Sequence, residues 1–372
     1  MEVRAEFGSK VQIDFYLKES DSFFTLHLQQ PCKILILYKP KALIVISFHV
    51  ILAIFIFSAR LGTIEISWQN FVSALFDPNG QNLAASLVWN VRIPRFLMAL
   101  LAGGSLSVAG QAIQILVRNP LADPYTMGSA SGAALGVNLA MMGWLPAVFS
   151  GVFFIPIWGF AGAMAASVLV LVLISRQTQI QTVNLLLIGL SVSILANSLL
   201  SLLTYWAARQ TEVRHLLFWT LGNLDKANWE TLGVGALFAV VSMAIIWWLS
   251  PLWNLLLLGD DKARSIGVSV RNAKYMLLIV SSLLTASVVC FCGPIGFVGL
   301  VVPFWVRRLV PITRSGFWPL SFLAGGIFIS LCDLVARVAI PPFGLPIGLV
   351  TSLVGIPFFL YLLRSSATKS SF

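Results

Sequence analysis

Residues Phe96–Val117 read FLMALLAGGSLSVAGQAIQILV, with Arg95 just before them and Arg118 just after. No charge interrupts the run. As a helix rising 1.5 Å per residue it reaches about 33 Å, enough to cross the ~30 Å hydrocarbon core of a bilayer. The two flanking arginines fall where guanidinium groups meet water or lipid headgroups. A soluble helix of this length would carry a polar face, and this one has only serines and glutamines.

The rest of the chain repeats the pattern. Apolar runs stand at Ala42–Ala59, Met127–Trp144, Pro146–Ile174, Val183–Ala208, Leu232–Leu258, Tyr275–Cys292, Phe317–Cys332 and Leu345–Leu363. A shorter one, Ile295–Val306, becomes long enough if Gly293 and Pro294 begin it and Arg307 and Arg308 snorkel at its far end. The total is ten spans, an all-α polytopic membrane protein. Composition agrees: 58% of residues are hydrophobic and 10% charged, against about 25% charged in soluble proteins.

Lys and Arg are retained on the cytoplasmic side of short loops. With ten crossings and both termini inside, most of them fall there, including Arg118, Arg176, Lys262, Arg264, Arg271, Lys274, Arg307, Arg308 and Arg314. This asymmetry accounts for the net charge of +10 and requires no nucleic-acid partner. Residues 1–40 form an N-terminal extension without the layout of a signal peptide, residues 41–364 the ten-helix domain, and 365–372 a cytoplasmic tail. Cys32, Cys290, Cys292 and Cys332 and the scattered His27, His49 and His215 lack metal-ligand spacing, so no metal site is predicted.

Polar and small residues mark the places where spans face something other than lipid. Gly128, Gly132 and Gly136 recur every four residues, a row that lets a neighbouring backbone approach closely; packing inside the subunit and a moving seam both fit. Ser193, Asn197, Ser201 and Thr204 share one face of the fifth span. That face meets either neighbouring helices or the water of a translocation path. Asp333 and Arg337 lie one helical turn apart, so the carboxylate can neutralise the guanidinium. Between the sixth and seventh spans, Gly259, Asp260, Asp261, Lys262, Ala263, Arg264, Ser265, Ile266 and Gly267 describe a stubby helix, capped by Asp and closed by Gly267, that protrudes into the cytoplasm.

Val91–Gly136, VRIPRFLMALLAGGSLSVAGQAIQILVRNPLADPYTMGSASGAALG, closely resembles the bacterial FecCD family of importer permeases, which serve uptake of iron-siderophores, haem and cobalamin. Four further stretches resemble the same family in the same order: LLLGDDKARSIGVSV (Leu256–Val270), GPIGFVGLVVP (Gly293–Pro303), the Asp333–Arg337 segment and LPIGLVTSLVGIPFFLYLL (Leu345–Leu363). The resemblance implies a type II ABC importer permease in the bacterial plasma membrane. It pairs with a second permease subunit, two cytoplasmic ATPases that carry the ATP and Mg, and an external solute-binding protein. This chain has no GxxxxGK[ST] phosphate loop, no catalytic residue and no cofactor of its own.

Residue by residue, the resemblance implies that Arg92, Arg95 and Arg337 meet carboxylates of the binding protein, and that Gly259–Gly267 is the coupling loop held by the ATPase. Headgroup anchoring is the competing reading of Arg92 and Arg95. Phe304 stands where the family commonly has His, and Gly344 where it commonly has Glu. An iron chelate is the expected cargo, with cobalamin and an ion-coupled carrier as alternatives.

Overall fold

The structure is a computed structural model that describes residues 40–62, 64–76, 82–146, 151–175, 182–207, 219–313, 316–340 and 344–367. The expected N-terminal extension lies outside these residues, apart from Pro40. The described residues are helical, with no strand among them. The helices are α1 (Pro40–Arg60), α2 (Trp68–Phe76), α3 (Leu83–Leu87), α4 (Ile93–Val117), α5 (Ser129–Met141), α6 (Phe154–Ser175), α7 (Thr182–Ala207), α8 (Trp229–Leu256), α9 (Asp260–Ser265), α10 (Val270–Cys292), α11 (Val298–Leu309), α12 (Phe317–Ala339) and α13 (Ile347–Ala367).

Each of the ten predicted spans coincides with one of these helices. Seven helical stretches of the described residues are long and apolar enough to cross a bilayer. The one containing α4 is continuous from Leu83 to Val117, through α3 and a single π-helical turn at Val88–Arg92. It therefore starts well before the predicted Phe96. It is the central pillar: nearly every side chain from Phe96 to Val117 is buried. Gly103 packs on Gly325 of α12 and Gly110 on Gly299 of α11 so closely that a Cβ at either position would strike the opposite backbone. Where lipid supplies no hydrophobic drive between helices, such close approach is what holds them together.

Two of the helices that match predicted spans are short. At 1.5 Å per residue α5 spans about 20 Å and α11 about 18 Å, less than the apolar core. Irregular backbone is tolerated at such depth only where protein satisfies its polar groups. Tyr125 does this for the bend before α11: its hydroxyl accepts from Ile295 N (2.9 Å) and donates to Ile295 O (3.2 Å). Tyr125 is held in turn by a 3-10 turn, Pro124–Met127, capped by the Asp123 carboxylate, which accepts from Tyr125 N at 2.8 Å. Phe297, at the mouth of α11, has φ +68 and packs its ring on Gly355 of α13, where no Cβ intervenes.

The glycine row differs in detail from expectation. Gly128 has φ +80 and precedes α5 as its cap, so only Gly132 and Gly136 lie within the helix. Both face α6, Gly132 against Gly162 and Gly136 against the carbonyl of Trp158. Gly132 and Gly136 thus pack closely on α6 within the subunit. Arg307 also departs from the expected snorkelling: it turns inward and its Nε donates to Gln111 Oε1 at 3.1 Å. Arg308 covers the face of Phe304 (4.6 Å), which in turn packs edge-on against Phe358. Gly344 has φ +67, a conformation a side chain such as Glu adopts only under strain.

Candidate functional site: an uncharged cavity between two charged ends

The polar face of α7 opens on a cavity of about 780 Å³. Ser193, Asn197, Ser201 and Thr204 all line it, joined by Ser131 and Asn138 of α5, Tyr125, Thr220 and Pro294. None of the lining residues is charged. Three of the α7 hydroxyls are bonded along their own helix: Ser193 to Gly189 O, Ser201 to Asn197 O and Thr204 to Leu200 O. A hydroxyl that donates to the carbonyl one turn back keeps its lone pairs for a guest. These three hydroxyls therefore need no neighbouring helix to satisfy them. Tyr125, Ser131 and Asn138 were not singled out from the sequence. They sit on a turn and a short helix whose apolar runs conceal a polar edge.

At the Arg92 end of α4 the three predicted arginines come together. Arg92 is buried, and Nη1 donates to the carbonyls of Ala59 and Arg60 (2.8 Å to the latter) while Nη2 donates to Ile64 O. Arg337, also buried, donates from Nη1 to Ser58 O at 3.2 Å and from Nη2 to Ser58 Oγ at 2.6 Å. Both guanidiniums thus close the C-terminus of α1, where unpaired carbonyls and the helix dipole favour cations. Asp333 binds Arg337 Nε at 3.0 Å and Arg95 Nη2 at 2.9 Å. Arg95 also pairs with Asp225, whose side chain is 59% exposed. The expected Asp333–Arg337 pair is present, and it is part of a larger network. Asp225 and the carbonyl set of α1 gave no pattern in the sequence, because the partners lie far apart along the chain.

At the Arg118 end stands the connector helix, α9. Its cap is Gly259, with φ +107 and no side-chain bond, so Asp260 and Asp261 are its first two residues and not its cap. Gly267, at φ +89, turns the chain after it as expected. Ala263 is fully buried, whereas Asp261, Lys262, Arg264, Ser265 and Ile266 are exposed. Asp260 points back to the bundle, pairing with Arg118 and, at 2.7 Å, with Lys274 Nζ. Among the described residues no group of three His, Cys, Asp or Glu side chains is placed to hold a metal ion.

The chain is 37% identical over 77% of its length, and 76% of the relative's, to the cobalamin import system permease protein BtuC of Halobacterium salinarum. It is 34% identical to the hemin transport system permease protein HmuU of Yersinia pestis, covering 84% of this chain and 92% of that one. Against the Fe(3+) dicitrate transport system permease protein FecD of Escherichia coli the identity is 33%, over 82% and 93%. A solved metal-chelate type ABC transporter in an inward-facing conformation superposes with a TM-score of 0.78 at 28% identity, covering 88% of this chain and all of that one. The FecCD transport family model matches residues 50–365. With motifs, fold and relatives in agreement, the chain belongs to the FecCD family of ABC importer permeases.

Proposed function

We propose that this permease imports an iron chelate, a siderophore or haem, handed over by an external binding protein and driven by two cytoplasmic ATPases, with a second permease subunit completing the path. The observation that carries the reading is the cavity: about 780 Å³ lies within the range of sites that enclose small ligands. Its lining offers hydrogen bonds without fixed charge, so a bulky chelate passes without being trapped, as conduction requires. The haem and iron-citrate relatives support this cargo. In this reading the Arg92 end of α4 faces outward and the Arg118 end and both termini face the cytoplasm. Arg95 reaches the binding protein's carboxylates, displacing Asp225, within a frame held by Arg92 and Arg337. The connector Gly259–Gly267 meets the ATPase.

A second cargo, cobalamin, is favoured by the Halobacterium salinarum relative. The test is uptake of radiolabelled ferric hydroxamate, haem and cobalamin into cells lacking their own permease and expressing this chain with its partner subunits. Accumulation of an iron chelate is expected; accumulation of cobalamin alone would replace the iron reading. Uptake that survives ATP depletion would contradict both.

A further inference from the structure

The connector helix divides into two faces, and only one of them is free to meet a partner. Asp261 is completely exposed, and Lys262, Arg264, Ser265 and Ile266 stand beside it. Asp260, adjacent in sequence, is turned the other way, about a quarter exposed, with both carboxylate oxygens engaged: Oδ1 by Arg118, Oδ2 by Lys274. Lys274 is itself buried, on the first turns of α10. Arg118 caps α4 in a left-handed conformation, φ 51, rare for a residue with a side chain. That conformation turns the chain at the end of the pillar, where the guanidinium meets α9.

The covalent path from α9 back to α4 runs through α8, α7, α6 and α5. The Arg118–Asp260 pair is a direct link between the connector and the pillar, and the Lys274–Asp260 pair ties the same carboxylate to α10. Ala263, seated in the main core, fixes the middle of α9 by packing, but an alanine methyl transmits a push without fixing direction. An ion pair to two helices at once does fix it, since a charge-assisted hydrogen bond restrains both distance and angle.

From this geometry we infer that Arg118 and Lys274 are positioning residues for transport, acting through Asp260 to convert movement of the connector helix into movement of α4 and α10. Asp260 is then a tether and not a contact for the ATPase, which meets Asp261, Lys262, Arg264 and Ile266. The inference rests on the coupling role proposed above for Gly259–Gly267.

The test uses the complete transporter, with ATPase and binding protein, in proteoliposomes, and reads substrate molecules moved per ATP hydrolysed. Arg118→Gln and Lys274→Met are each expected to lower that ratio about fivefold. The double variant should fall no further than the worse single one, because both groups act on one carboxylate. Arg118→Lys, which keeps the charge, should retain most of the ratio; a residue needed only for folding would show its loss in assembly and melting temperature instead. If Lys274→Met fails to assemble, Arg118→Gln decides, since Arg118 is about one-third exposed and its loss leaves no deep void. Unchanged ratios in assembled Arg118→Gln and Lys274→Met overturn the tether. A Gly/Ser replacement of Asp261–Arg264 separates the two readings. If it lowers the ratio while Arg118→Gln and Lys274→Met do not, the tether alone is wrong. If it too leaves the ratio intact, the coupling reading fails and takes the tether with it.

Discussion

Arg95 holds two carboxylates of opposite situation, and removing each in turn gives the sharpest test of how the Arg92 end of the bundle is built. Asp333 has 2% of its side chain exposed and lies 2.9 Å from Arg95 and 3.0 Å from Arg337. Taking away one partner of a buried ion pair leaves the other uncompensated, at a cost of about 3–5 kcal/mol. Asparagine keeps one accepting oxygen, so Asp333→Asn is expected near the lower end, about 3 kcal/mol. Asp225 is 59% exposed, and exposed pairs contribute about 0–1 kcal/mol. Melting temperatures of the purified permease in detergent should therefore fall by roughly 5 °C or more for Asp333→Asn and by no more than about 2 °C for Asp225→Asn. The binding-protein affinity should move differently again. Asp225→Asn frees Arg95 and is expected to tighten docking, whereas Asp333→Asn loosens the frame and weakens it. A melting loss for Asp225→Asn as large as that for Asp333→Asn would refute the division between frame and surface.

Three further perturbations follow from the packing and the cavity. Gly132→Ala places a methyl against Gly162 O and Ala166 Cβ and should cost about 1–3 kcal/mol by overpacking. Gly233→Ala, in α8 with nothing within 4 Å of the new Cβ, should be neutral or stabilising by up to about 1 kcal/mol; paired melting curves distinguish them. Asn197→Trp, which fills the cavity lined by α7, is expected to reduce uptake about tenfold, while the same residue at Val168, exposed on α6 and outside the lining, leaves it within about twofold.

How much of this was legible in the residues depends on the length scale of each cause. Membrane spans are set by local composition, and Phe96–Val117 declared itself by the absence of charge over one bilayer thickness. The polar stripe on α7 was equally plain, because helical periodicity alone places Ser193, Asn197, Ser201 and Thr204 on one face, and all four line the cavity. Periodicity does not say what stands opposite, so Asn138 and Tyr125 were missed. The arginines were visible as charges out of place. What they bind was not: the partners of Arg92 are backbone carbonyls at the end of α1, and a carbonyl carries no signature in sequence. Asp260 is the converse case. As an acid at the start of a short helix it resembles an N-cap, and only the fold, by bringing Arg118 and Lys274 to it, shows that its charge is used elsewhere.

The pillar α4 ties these sites into one mechanical problem. From Arg95 to Arg118 it runs about 35 Å at 1.5 Å per residue, buried along nearly its whole length and packed through glycine contacts that leave little room to bend. Its one end is bound by Arg95 to Asp333 of α12, and its other by Arg118 to Asp260 of the connector. A displacement imposed on α9 therefore reaches Arg95 by translation or tilt of a rigid body, the kind of motion by which packed helices switch between two arrangements. Coupling of this sort is reciprocal in binding free energy. If movement at the connector changes how firmly the Arg95 corner holds a binding protein, docking there must change the affinity for the ATPase by the same factor. Arg118→Gln, which cuts the link without touching either surface, should bring that shared factor close to one; a factor unchanged from the parent would show that α4 is not the path between them.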